Sequence, residues 1–187
     1  METDGLITFL NAIYPLSPDL ESSIREMAYR GQYKKGQIIA SSGKKADEIW
    51  YLVNGLAKEY YYEPTGKTSI TAFWKENDLM IIVESFFGKI NSERYIELIE
   101  DSILLTIGSK QAHELRSQFP EIHSLGYSIL RGVKRKSDQR SALLAMPAME
   151  SYRQFCENFP CGRISVADAA SYLGMTRQTL SAIRSKK

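Results

Sequence analysis

Cysteine is scarce: Cys156 and Cys161 are the only two in 187 residues. Two sulfur ligands do not complete a zinc or iron–sulfur site. In a chain without an export signal they read as a pair of thiols rather than a disulfide. Histidine is as rare, with only His113 and His123, both in helical stretches. No nucleophile–base set and no metal motif can be assembled, so the chain is read as a non-enzyme with no metal and no certain cofactor. No apolar run approaches the ~20 residues of a membrane helix, so no membrane partner is expected. The acidic start, Met1-Glu2-Thr3-Asp4, lacks the basic opening of a signal peptide, and a cytoplasmic location is expected. Internal repeats and low-complexity segments are absent too.

Charge is present in both signs but unevenly placed. Through Leu130 there are 13 Lys/Arg against 18 Asp/Glu; from Arg131 onward there are 11 against 4. The body is therefore −5 and the C-terminal segment +7, within a net +2. That split points to a polyanion met only by the C-terminal part. A solvated basic face is the plain alternative.

Leu6, Ile7, Leu10 and Ile13 are spaced as a helix stripe that Pro15 interrupts. Ser17-Pro18-Asp19 starts a second helix, with serine as N-cap and proline at the first helical position. Leu20, Ile24 and Met27 form its stripe, and Gly31 ends it. From Tyr33 to Ile107, short β-branched and aromatic runs alternate with turn signals, as in an antiparallel barrel or jelly roll. Strands are expected at Ile38-Ile39, Ile49–Val53, Leu56–Tyr62, Thr68–Trp74, Tyr95–Ile99 and Ile103–Ile107. Asn54-Gly55 is a hairpin signal that would make Leu56–Tyr62 the partner of Ile49–Val53. Pro64-Thr65-Gly66 is a further turn and Asn77-Asp78 a corner.

After Ser109 the signal is helical. Pro120 opens a long segment with Ile122, Leu125, Ile129, Val133 and later Leu143 and Leu144. These spacings suit a packed or self-associating helix, and Gly126 would admit a close partner. Met146-Pro147 marks a junction, and Met149, Tyr152 and Phe155 make a short helix. Two more helices with a tight turn follow. Ser165 or Asp168 begins the first, with Ala169, Ala170 and Leu173 as its stripe. Gly174 suits a left-handed helix end, and Thr176 an N-cap. Leu180 and Ile183 form the buried side of the last helix, leaving Arg177, Gln178, Ser181, Ala182 and Ser185 opposite. This is a helix-turn-helix pattern; an ordinary αα-hairpin is the plain alternative.

The order of helices, barrel, long helix and helix-turn-helix resembles the Crp/Fnr family of bacterial transcription regulators over nearly the whole chain. Tyr33-Lys34-Lys35-Gly36-Gln37, Gly43 and Asp47-Glu48-Ile49-Trp50-Tyr51-Leu52-Val53-Asn54-Gly55 carry the likeness in the barrel. Gly66 and Asn77-Asp78 extend it. Ala170-Ser171-Tyr172-Leu173-Gly174-Met175-Thr176-Arg177-Gln178-Thr179-Leu180-Ser181 carry it most closely. The resemblance implies an α+β chain of three parts: a cyclic-nucleotide-binding-like sensor domain at 1–118, a dimerisation helix at 119–145, and an all-α helix-turn-helix domain at 146–187.

It also implies an effector pocket at Glu84, Phe86, Phe87, Gly88, Arg94 and Tyr95. In members that bind cyclic AMP, a Gly-Glu pair meets the ribose, and an Arg followed by Ser or Thr meets the phosphate. Here no Gly precedes Glu84, and Tyr95 follows Arg94. Cyclic AMP is therefore not expected, and a packed scaffold or another small-molecule effector is favoured. Arg94 as an ordinary ion-pair partner is the alternative for that residue. An iron–sulfur sensor of the Fnr kind would need four cysteines.

The resemblance further implies a homodimer joined along Ile122, Leu125, Gly126, Ile129 and Val133. It would place two recognition helices on a pseudo-palindromic double-stranded DNA site with half-sites ~34 Å apart. Arg177 and Gln178 are the expected base readers, since Arg suits guanine and Gln adenine. Thr176 and Ser181 would hold phosphates, while Arg184, Lys186 and Lys187 would add salt-dependent affinity. Ala182 stands where the family often has a third polar reader and would touch a thymine methyl. No β-hairpin wing follows Ser185, so wing contacts are not expected. RNA polymerase is left open as a partner. The alternatives are a genuine cyclic-nucleotide receptor and an interaction module whose helix-turn-helix does not read DNA.

Overall fold

A computed structural model describes residues 2–185. Two helices open the chain, α1 (Glu2–Ile13) and α2 (Pro18–Met27). Ser17 caps α2 by accepting from the Leu20 amide, with Pro18 beginning the helix. The strands are β1 (Tyr29–Tyr33), β2 (Ile38–Ala40), β3 (Glu48–Asn54), β4 (Ala57–Tyr62), β5 (Thr68–Trp74), β6 (Leu79–Met80), β7 (Tyr95–Leu98) and β8 (Ser102–Gly108). A short helix, α3 (Val83–Gly88), interrupts them before β7. They form two antiparallel sheets, ordered β1-β8-β3-β6 and β2-β7-β4-β5. The chain is α+β, built on a jelly-roll-like pair of sheets.

Two expectations fail in this region. Gly31 does not end a helix: it lies inside β1, opposite Leu104 of β8. Asn54-Gly55 is not a hairpin, because β3 and β4 lie in different sheets. Gly55 instead carries the chain across at φ +113, so close to Ser102 that an added Cβ would meet its Oγ at 2.2 Å. A two-residue turn signal fixes a local reversal but not which strands pair across it. The turn at Gly66 does close a hairpin, since β4 and β5 are directly paired.

Strand alternation sorts side chains to opposite faces. Trp50, Leu52, Ala57, Trp74, Ile96, Leu98 and Leu104 point between the sheets. Tyr51 and Leu105 point outward beneath α1 and α2, where Leu6, Leu10, Leu20 and Ile24 cover them. Leu115 of α4 (Ser109–Gln118) joins that layer. On the other side, Tyr60, Ile70 and Phe73 face outward beneath the C-terminal helices. The barrel is thus covered by helices on both faces.

The 24-residue helix α5 (Ile122–Ala145), about 36 Å long, joins these two layers. Leu125 is buried with α1, Tyr51 and Leu105, and Ile122 and Ile129 pack against the same cluster. At the other end Leu143 enters the C-terminal core. Leu125 is thus covered by its own chain, whereas Ile122 and Ile129 are covered only in part. The large apolar groups that α5 leaves exposed are Tyr127, Leu130, Val133 and Leu144.

Candidate nucleic-acid interface and effector pocket

Three short helices close the chain: α6 (Ala148–Asn158), α7 (Val166–Tyr172) and α8 (Arg177–Arg184). Ser165 starts α7, its Oγ accepting from the Asp168 amide at 3.0 Å. Ala169, Ala170 and Tyr172 turn inward. Gly174 then adopts φ +64, where an added Cβ would meet Leu144 Cδ2 at 2.8 Å. The left-handed backbone demands glycine, while the exposed Leu144 tip is free to give way. Thr176 caps α8, its Oγ1 accepting from the Thr179 amide at 3.1 Å. Leu180 and Ile183 are buried, and Arg177, Gln178, Thr179, Ser181 and Ala182 are exposed.

Arg184 departs from its expected place among the phosphate contacts. Its Nε donates to Tyr152 Oη at 2.8 Å, and Nη2 donates to the carbonyls of Cys161 at 2.9 Å and Ile164 at 3.2 Å. The guanidinium also lies over the Tyr152 ring. It staples the end of α8 to α6 and the following turn. Lys186 and Lys187 lie outside the described residues.

The helical head is fastened to the barrel by apolar and polar contacts together. Phe73 meets Phe155, Phe159 and Tyr172 with ring centroids between 5.2 and 5.9 Å apart. Strand β5 is at the edge of its sheet, which leaves backbone groups to satisfy. Ser171 Oγ meets that need, accepting from the Ile70 amide and donating to the Thr68 carbonyl, both at 3.0 Å. Lys58 reaches Asp168 at 3.2 Å and Glu97 at 3.6 Å. Arg163 pairs with Glu76 at 2.6 Å and Glu100 at 2.5 Å. Its hydrogen bonds hold the Glu76 carboxyl below the ordinary range. Between head and barrel runs an open groove of about 850 Å³, bordered by Lys58, Tyr62, Lys67, Asp168, Thr176 and Arg177.

The expected effector residues are only partly brought together. Glu84, Phe87 and Gly88 are exposed on α3, with Phe86 edge-on to Phe87. Buried Ser85, which sequence reasoning passed over, ties α3 to its surroundings. It accepts from the Ala46 amide and donates to the Ile90 carbonyl, both at 2.7 Å. Arg94 does not meet Glu84. Its Nη1 pairs at 2.9 Å with Glu59, a residue only 8% exposed that also accepts from Thr71 Oγ1. Tyr95 stacks on Tyr60 at 5.1 Å. Glu59 had one readable signal: in β4 it shares the inward face with Ala57, so a carboxylate there needs a cation.

The cyclic nucleotide-binding domain family matches residues 30–119. That stretch is similar to cyclic nucleotide-binding domains. No curated protein matches the chain. Several solved structures resemble more than this domain. FixK2 from Bradyrhizobium japonicum is 19% identical over 85% of this chain and 83% of its own, with a TM-score of 0.75. A protein from Eubacterium rectale assigned to the Crp/Fnr family of transcriptional regulators is 14% identical over 94% and 87%, at 0.71. The c-di-GMP-responsive global regulator CLP from Xanthomonas campestris is 13% identical over 91% of each chain, at 0.70. At such identities the likeness speaks for the fold. Residues 30–119 and the helices after them share the fold of these three structures. Among the described residues, no helix is long and apolar enough to cross a membrane.

Proposed function

We propose that this chain is a homodimeric, sequence-specific DNA-binding transcription regulator of the Crp/Fnr type and not an enzyme. The observation that carries this reading is the α7–α8 pair. Gly174 and Thr176 set its turn and cap, Leu180 and Ile183 anchor it, and Arg177, Gln178, Ser181 and Ala182 form an outward face. Arg177 and Gln178 read bases, Thr176 and Ser181 hold phosphates, and Ala182 contacts a thymine methyl. The basic segment beyond Leu130 supplies the attraction to DNA. The dimer face on α5 is Tyr127, Leu130 and Val133, with Gly126 beside them, in place of the Ile122–Ile129 stripe.

The effector pocket takes a ligand other than cyclic AMP, if it takes one. Arg94 already has a carboxylate partner in Glu59, and Tyr95 follows it. A bound phosphate would have to displace that carboxylate and leave it buried beside a second anion. A cyclic-nucleotide receptor would show a thermal shift with cyclic AMP that Arg94→Ala abolishes; no such shift is expected.

Gel shifts with genomic fragments over a range of salt concentrations test the main reading. A preferred fragment is expected, with affinity falling as salt rises. Arg177→Ala is expected to lose about tenfold to a hundredfold of that preference while retaining nonspecific binding. If no fragment is preferred over random DNA, the reading fails and an interaction module remains.

A further inference from the structure

The β4–β5 hairpin of the barrel stands beside the C-terminal helix pair. Its strands pair from Ala57 opposite Trp74 to Tyr62 opposite Thr68. The Glu63 amide donates to the Lys67 carbonyl at 2.8 Å, and Gly66 turns the tip at φ +80. Below the tip, the Tyr62 ring lies edge-on to Tyr60 and Tyr95, with centroids 5.6 and 5.5 Å away. Lys67 is therefore an exposed cation on a pinned backbone. The next residue, Thr68, accepts from Ser171 Oγ of α7 at 3.0 Å through its carbonyl. Ser171 lies close in the chain to Thr176, the cap of α8. Lys67, Thr176 and Arg177 accordingly border one groove. Charge along it is divided. Lys58 is committed to Asp168 and Glu97. Among the described residues, Lys67 and Arg177 form no ion pair, and Lys67 does not bridge to the half-buried Glu63 at the foot of its own turn.

We propose that Lys67, on the barrel hairpin, is a DNA-backbone contact, so that the barrel as well as the helical head touches the operator. This rests on the reading of α8 as a recognition helix. A helix lying in the major groove, ~12 Å wide, has a phosphate strand along each side. The residues at its N-terminal end meet base edges. A cation standing across an open groove from that end faces the flanking strand. An ammonium suits that place, because it meets a single phosphate as a point charge. Such a contact adds affinity and fixes orientation without reading sequence. Ser171 bonds both Thr68 and Ile70 of β5, which holds the phosphate contact and the base readers in one frame. With the backbone already set, only the lysine side chain is ordered on binding.

The test is fluorescence anisotropy of the full chain titrated with its preferred fragment and with random DNA over a range of salt concentrations. Lys67→Gln is expected to weaken binding to both DNAs by the same factor, about tenfold at ~0.1 M salt. It should also reduce the steepness of log affinity against log salt by about 1 for each head. Lys67→Arg should retain affinity and slope. Lys110→Gln removes an exposed charge from α4, on the barrel face away from the head, and should change neither. If the parent prefers its fragment and Lys67→Gln leaves the slope unchanged, the hairpin contact is overturned and the recognition helix stands. An equal loss in Lys110→Gln overturns it as well, since the effect is then one of net charge. If the parent prefers no fragment over random DNA, the recognition-helix reading fails and the hairpin contact fails with it.

Discussion

Arg177 and Arg184 lie two turns apart on α8, and their surroundings give them opposite roles. Arg177 is exposed beside the groove, whereas Arg184 is tied to Tyr152 and to two backbone carbonyls. Removing Arg184 orphans those carbonyls, so Arg184→Ala should cost about 2 kcal/mol of stability. Arg177→Ala should leave the melting temperature unchanged and reduce only DNA preference. Chemical denaturation beside gel shifts separates the two. Gly174→Ala is a sharper probe of the turn: it forces a side chain into φ +64. It should lower stability by about 1–2 kcal/mol. The glycine and both caps were readable from sequence because each acts within three or four residues. The roles of Arg184 and Glu59 were not, because their partners lie 20 to 35 residues away in the chain.

At the scale of the element, α5 shows what periodicity leaves open. Its apolar stripe was read correctly as a stripe, but most of it is covered by the chain's own α1 and barrel. Two substitutions distinguish the faces. Leu125→Ala should cost about 2–5 kcal/mol, as for other buried leucines. Leu130→Asp with Val133→Asp should leave the fold intact and shift a dimer to monomer in sedimentation. If that double variant sediments as the parent does, the proposed face is wrong.

The link from the turn between α6 and α7 to the barrel responds to pH through Glu76. Hydrogen bonding from Arg163 depresses its carboxyl below the ordinary 4.5. A depressed native value means the contact stabilises above that ordinary value and is lost as pH falls through and below it. Thermal melts from pH 7 down to 4 should show a decline that Glu76→Gln reduces. High salt should weaken the same contact, since both partners are partly exposed.

For the whole molecule, the head and barrel share one core. Phe73 and Ile70 of the barrel are buried among Phe155, Tyr172 and Leu173 of the head. The proposed division at residue 146 is therefore a change of architecture without a gap in packing. Unfolding should then be cooperative across it. Both tryptophans, Trp50 and Trp74, sit in the barrel core, so their fluorescence reports that part alone. It should change together with far-UV circular dichroism, which reports mainly the helices. Two separate transitions would mean that the head comes off first.

The sequence alone determined six of the eight described strands, the long helix and the C-terminal helical pair with its glycine and Thr176 cap, and the charge split along the chain, but not β1, β6 or α3. These follow from backbone sterics, local hydrogen bonds and side-chain periodicity, all of which act over a few residues. Only the tertiary structure decided that Gly55 crosses between sheets, that α5 turns most of its stripe inward, and that Arg94 pairs with Glu59. The same holds for Arg184, which serves the interior. A pattern in the chain records that a face is apolar or charged, whereas its partner is chosen by whatever packing brings within a few ångströms.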